Sequence, residues 1–172
     1  MQLLCALSLV AALTPAPQAA PAAKAPATKA PAAKTQTAKP AAATKGARTV
    51  ELTAGDNMKF NTTEIAAKPG ETLHVVLKNI GTVPKIAMGH NFVALKDPAT
   101  IDEYAKAAMV AKDTEYLPAA QNAQVLGATK LSGPGETVDV TFKVPAKAGS
   151  YPFLCTFPGH YAAGMKGNIV AK

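Results

Sequence analysis

Thr137-Val138-Asp139-Val140-Thr141-Phe142-Lys143-Val144 alternates polar and apolar residues without a break. That period of two puts every second side chain on one face, as a half-buried strand requires and a helix cannot provide. The run follows a Ser132-Gly133-Pro134-Gly135-Glu136 turn. Thr49 to Thr53 alternates in the same way, and Leu73 to Asn79 follows the Lys68-Pro69-Gly70-Glu71 turn. Tyr151 to Cys155 and Asn168 to Ala171 complete the series. Many short strands separated by Gly and Pro predict an all-β domain, a Greek-key antiparallel β-sandwich.

One segment breaks the pattern and predicts a short helical insertion around residues 97–112. Ile101, Tyr104, Ala105, Ala108 and Met109 share one face of a helix. Asp97 as N-cap and Pro98 at the first position supply the start signal.

The domain occupies only part of the 172 residues. Met1 to Thr14 contains an apolar run too short to span a bilayer, which takes about 18 or more apolar residues. It reads as a secretory signal, although the usual basic n-region is missing. Cys5 is not placed as a lipoprotein cysteine, because the apolar run follows it. Pro15 to Ala47 is almost entirely Ala, Pro, Lys and Thr. Proline at that density blocks helix and sheet, and like charges repel, so an extended tether is expected. The net charge of +7 is concentrated here and at its edge: Lys24, Lys29, Lys34, Lys39, Lys45 and Arg48 are six of 18 basic residues, leaving 12 against 11 acids beyond Arg48. A domain so near neutrality, over 48–172, does not present a nucleic-acid-binding face.

Chemistry concentrates in Cys155-Thr-Phe-Pro-Gly-His160-Tyr-Ala-Ala-Gly-Met165, with a second imidazole in Met88-Gly89-His90-Asn91. Taken singly, each residue has a structural reading. Cys155 can be an inert buried thiol, Met165 core filler, and His90 a polar residue at a strand start. Jointly they form the ligand set of a blue-copper electron-transfer site: two His, one Cys and a weak axial Met. The chain has three His, and two of them fall here. The third, His74 in Leu73-His74-Val75, has no ligand neighbour in sequence and is expected on the outer face of a strand.

The Cys-Thr-Phe-Pro-Gly-His run, Met88 to Asn91 and Asp56-Asn57-Met58-Lys59-Phe60-Asn61 resemble the azurin group of cupredoxins. Thr129 to Gly133 and Met165-Lys166-Gly167 are similar too, so the resemblance covers about residues 49 to 172. It implies one copper per domain, with His90, Cys155 and His160 as equatorial ligands, Met165 as axial ligand and the Gly89 carbonyl approaching weakly from the other side. It further implies that the N–H groups of Asn91 and Phe157 point at the Cys155 sulfur. Asn91 and Thr156 are expected to lace the two ligand segments together. Three departures stand out. The stretch between His160 and Met165 is one residue longer than in azurin and resembles plastocyanin and the auracyanins. The positions of azurin's disulfide hold Arg48 and Gly70. Phe92 stands where azurin has a buried Trp.

The function expected from these residues is that of a mononuclear electron carrier outside the cytoplasm, periplasmic or otherwise exported. The alternative is a copper-binding or delivery protein without an electron-transfer role. Delivery favours exposed Met or Cys clusters, whereas the five Met here are scattered. A copper enzyme needs a further catalytic copper with several more His, so no enzymatic activity is expected. Redox partners would dock weakly on small and apolar residues around His160. The domain is expected to be a monomer, and its basic tether can meet a membrane or cell wall.

Overall fold

The structure is a computed structural model and describes residues Gly46–Lys172. The signal segment, and all but the last two residues of the tether, lie outside the described residues. Eight strands form among them: β1 (Arg48–Ala54), β2 (Glu64–Ala67), β3 (Thr72–Asn79), β4 (Val93–Leu95), β5 (Val125–Ala128), β6 (Thr137–Lys143), β7 (Gly149–Leu154) and β8 (Lys166–Ala171). They pair as two sheets, in the orders β1-β3-β6 and β2-β8-β7-β4-β5. The β-sandwich expected from the alternating segments is present, but its sheets are mixed. β1 runs parallel to β3 and β2 parallel to β8, while the other four pairings are antiparallel. Alternation reports which face a residue occupies and is blind to strand direction, so these parallel pairs left no trace in the pattern.

The core lies where the inner faces of the two sheets meet. Leu52, Leu73, Val75, Leu77 and Phe142 from one sheet join Ile65, Phe153 and Ile169 from the other in a single cluster. Phe92 fills its middle, 5.1 Å from Phe153 and 6.2 Å from Phe142 between ring centroids. Removing so buried a ring costs on the order of 3–5 kcal/mol. The opposite face of the five-stranded sheet is also covered. Val93, Leu95 and Leu154 pack there against Tyr104 and Ala105. This explains why all three residues of β4 are buried and show no alternation.

The covering element is the expected helical insertion. After the single turn α1 (Lys85–Met88), a 3-10 turn over Pro98–Thr100 leads into α2 (Ile101–Ala108). Asp97 starts it, its carboxylate accepting from the Ala99 N–H at 2.9 Å. Tyr104, Ala105 and Ala108 face inward. Met109 does not: the helix ends before it and it is 54% exposed.

Two other positions gain detail in the folded chain. His74 is on the face of β3 away from the core, yet it is buried, its Nε2 lying 3.0 Å from Asp139 Oδ2. The cross-strand carboxylate gives the imidazole a polar partner that no nearby residue could supply. At the former disulfide position, Arg48 reaches across to Glu71, the neighbour of Gly70, at 2.6 Å and donates to the Ala66 carbonyl at 2.6 Å. The guanidinium hydrogen bond holds the Glu71 carboxyl below its ordinary range. An ionic tie thus joins the start of β1 to the turn before β3.

Candidate metal centre

His90 enters the site from the segment just before β4. Its N–H donates to the Ser132 carbonyl at 3.0 Å, and its carbonyl accepts from the Ser132 N–H and hydroxyl, both at 2.7 Å. Asn79, itself buried, donates from Nδ2 to the same Ser132 carbonyl at 3.0 Å. Thr129 accepts from the Phe92 N–H at 3.0 Å. The Thr129 to Gly133 stretch, noticed in sequence only as a similarity, is therefore the rail that fixes His90. Ser132 and Asn79 were not singled out as supports, since each lies dozens of residues from its partner. Gly89 is required by space: a Cβ there would sit 2.8 Å from the Leu131 side chain and 2.9 Å from the Lys85 carbonyl.

The other donors leave the end of β7. Cys155, directly after the strand, is fully buried, and its N–H donates to the Met165 carbonyl at 3.1 Å. Chain reversal between them is compact. Ala163 donates to Gly159, Gly164 to Tyr161 and Met165 to His160, each at 2.9 Å. Gly164 takes φ +88°, a left-handed conformation that side chains oppose. The added residue is thus absorbed in a helical turn, and Met165 returns fully buried beside Cys155.

Asn91 and Thr156 lace the two segments as expected. Asn91 Nδ2 donates to Thr156 Oγ1 at 2.7 Å, and the Thr156 N–H donates to Asn91 Oδ1 at 2.8 Å. Glu115 and Tyr116, consecutive non-glycine residues with φ of 55° and 64°, buttress this region. The Glu115 carboxylate accepts from the Leu131 N–H at 3.1 Å, and the Tyr116 ring meets Phe157 edge-on at 5.2 Å. Phe157 in turn lies 4.8 Å from the His160 ring.

These supports bring the donor atoms of His90, Cys155 and His160 within 4.8 Å of one another, all three residues buried. Cys155 Sγ is 3.4 Å from His160 Nδ1. His160 is only 2% exposed, while Pro158, Gly159, Ala162 and Ala163 around it are exposed. Burial pushes the Cys155 thiol up to about 11, against the N–H groups of Asn91 and Phe157 that favour a thiolate. Burial, helped by the nearby His90, drives His160 down to about 4. It lowers His90 as well, with Asp56 and the Gly55 carbonyl opposing, though the Gly55 contact falls short of hydrogen-bond geometry.

Neither nitrogen of His90 has a hydrogen-bond partner, although the residue is fully buried. An unsatisfied buried polar group costs about 1–3 kcal/mol. Two neutral imidazoles and a thiol converging in an apolar pocket fit a metal that takes nitrogen and sulfur ligands. Carboxylates are absent from this donor set, which disfavours a hard cation.

Comparison with known proteins agrees with this chemistry. Residues 47–172 match the family model for copper binding proteins of the plastocyanin/azurin family. Outer membrane protein H.8 of Neisseria meningitidis serogroup B is 44% identical over 126 residues, which cover 72% of this chain and 66% of that protein, just under two thirds of its length. Azurin of Pseudomonas chlororaphis is 43% identical over 128 residues, covering 72% of this chain and 97% of that one. The solved structure of auracyanin A from Chloroflexus aurantiacus, a "blue" copper protein, superposes with a TM-score of 0.66 at 34% identity, covering 74% of this chain and 100% of that one. Fold, buried donor cluster and sequence likeness converge on one assignment: the chain belongs to the plastocyanin/azurin family of copper-binding proteins, and its cofactor is copper.

Proposed function

We propose that the domain is a mononuclear blue-copper electron carrier in which His90, Cys155 and His160 hold the metal and Met165 is a weak further ligand, with the Gly89 carbonyl a weaker one still. The observation that carries this reading is the buried His90 ring, unpartnered at both nitrogens and facing a thiol and a second imidazole. Copper bound there supplies a one-electron Cu(II)/Cu(I) couple. The residues do the rest. His90 and His160 are held neutral by burial, so their nitrogens are available without first losing a proton. Cys155 must release its proton on loading, and the N–H groups of Asn91 and Phe157 then stabilise the sulfur's charge. Phe153 and Phe157 exclude water. Hydrogen bonds from Ser132, Asn91 and Thr156 keep the donors in place whichever charge the site carries, so little has to move with the electron.

A delivery role is disfavoured by the burial of every candidate donor, because exchange needs accessible ligands. Partners would dock on the exposed Pro158, Gly159, Ala162 and Ala163, a surface continued by a groove of about 270 Å³ lined also by Ala105 and Met109. Apolar and small, it suits brief encounters. The domain would act as a monomer in an exported protein, with residues 1–14 as signal and 15–47 as tether. The relative named as an outer membrane protein supports that placement. The test is an absorption and EPR spectrum of the Cu(II)-loaded domain with voltammetry. An intense thiolate-to-copper band and a reversible one-electron wave are expected, and Cys155→Ser must abolish the band. Colour that survives Cys155→Ser, or copper that binds without a reversible wave, would refute the reading.

A further inference from the structure

The turn from His160 to Met165 closes on itself through backbone bonds, and Ala162 and Ala163 at its tip are exposed. Such a turn fixes its own shape, while the Cys155 N–H bond to the Met165 carbonyl ties only its end to β7 and leaves the orientation of the tip to side chains. Tyr161 supplies that orientation. Its hydroxyl donates to the exposed Asp102 Oδ1 at 2.5 Å. Asp102 stands in the first turn of α2. The Tyr161 ring packs on the cluster of Val93, Leu95, Leu154, Tyr104 and Ala105 that joins α2 to the five-stranded sheet. Lys166 Nζ lies 4.5 Å above the same ring.

The chain positions make this arrangement a brace. Tyr161 directly follows His160, and Lys166 directly follows Met165. One ring therefore links both ends of the turn to each other and to the helical insertion. A further contact, from Lys59 to the Ala163 carbonyl, reaches the tip from the Asp56–Phe60 turn. Lys59 Nζ also sits 2.8 Å from where a Cβ on Gly164 would lie, so the tip is enclosed at that corner.

We propose that α2 is a positioning element for the site, with Tyr161 as the residue through which it orients the His160–Met165 turn and Asp102 as its anchor. The consequence at the metal rests on the reading of His160 and Met165 as copper ligands, whereas the mechanical link does not. Two measurements keep these separable. In the metal-free domain, the Ala163, Gly164 and Met165 amides, all bonded within the turn, report its stability by hydrogen exchange. Tyr161→Phe and Asp102→Ala should each speed their exchange by about threefold to tenfold, the scale of one ordinary hydrogen bond, while amides of β7 stay at wild-type rates. Asp102→Asn keeps an acceptor oxygen and should restore wild-type protection. In the Cu(II)-loaded domain, Tyr161→Phe should retain the metal but shift its EPR parameters and reduction potential.

Turn amides that exchange at wild-type rates in both Tyr161→Phe and Asp102→Ala would overturn the link. So would equal acceleration in the turn and in β7, which would mean general destabilisation, or an Asp102→Asn variant as labile as Asp102→Ala. Faster turn exchange with an unchanged copper spectrum and potential would overturn the positioning role. Failure of the wild-type domain to bind copper with a thiolate band would instead refute the ligand reading, with the exchange result unaffected.

Discussion

Two buried histidines of this domain have opposite environments. His74, on the outer face of the three-stranded sheet, sits 3.0 Å from the Asp139 carboxylate of the adjacent strand. His90, at the mouth of the five-stranded sheet, has no partner at either nitrogen but two other donors within 4.8 Å. His74 also leaves Nδ1 without a partner, so the contrast is one orphaned nitrogen against two. Burial is common to both and therefore does not mark a ligand. What sets His90 apart is a polar side chain kept from every internal partner while its backbone is fixed by Ser132. His74 spends its imidazole on the fold; His90 holds its imidazole in reserve.

The largest expected effect breaks the pair apart. His90→Ala should remove the thiolate-to-copper band, yet leave the metal-free domain close to wild-type stability. Relief of the orphaned ring, about 1–3 kcal/mol, offsets the packing that is lost. His74→Ala should do the reverse, leaving the copper spectrum intact and costing about 1–3 kcal/mol in denaturant unfolding. If His90→Ala strongly destabilises the metal-free domain, its imidazole is structural and the contrast fails.

The pH dependence of the metal-free domain sharpens the same contrast. His160 is held at about 4 against an ordinary value of 6.5, so the unfolded chain takes up a proton first as pH falls. Stability should therefore decline from about pH 6.5 down to about pH 4. Cys155 is raised to about 11 from an ordinary value of 9.0, so the unfolded chain loses its proton first as pH rises. Stability should decline again from about pH 9 to pH 11. Thermal melts across this range should show a plateau between the two limbs. His90 joins the acid limb, since its shift has the same direction.

Smaller effects are expected at Met165, the proposed weak ligand. Met165→Leu should raise the reduction potential, because it deletes a donor that favours Cu(II), and Met165→Gln should shift potential and EPR parameters with copper retained. A spectrum and potential unaltered in both would show that Met165 belongs to the core alone. The smallest effect is expected from deleting residues 1–47. β1 begins at Arg48 and the family match at residue 47, so melting temperature and copper spectrum should be unchanged. A large drop in melting temperature would show that the tether packs on the domain.

The proposed donors were legible in the chain because ligand chemistry is carried by residue type. A thiol, a thioether and an imidazole within eleven residues, plus one imidazole upstream, have few joint explanations. Alternation exposed the strands, and Asp97-Pro98 exposed the start of the helix, because both signals are local. Where local pattern ended, so did legibility. The parallel pairs β1–β3 and β2–β8 depend on which edges meet. Met109 fell outside the helix because the chain turns one residue earlier than its apolar spacing implies.

By itself, then, the sequence determined the proposed donor set, the strand faces and the turn residues, because each follows from a side chain's own chemistry or from spacings of a few residues. Tertiary structure alone decided which polar groups became partners. His74 met Asp139 across 65 positions, Ser132 met His90 across 42, and Tyr161 met Asp102 across 59. Only the folded chain separates the imidazole that has a carboxylate partner from the one that has none. Hydrogen bonds form by proximity in space, and over such separations proximity is set by the packing of two sheets and a helix rather than by order along the chain.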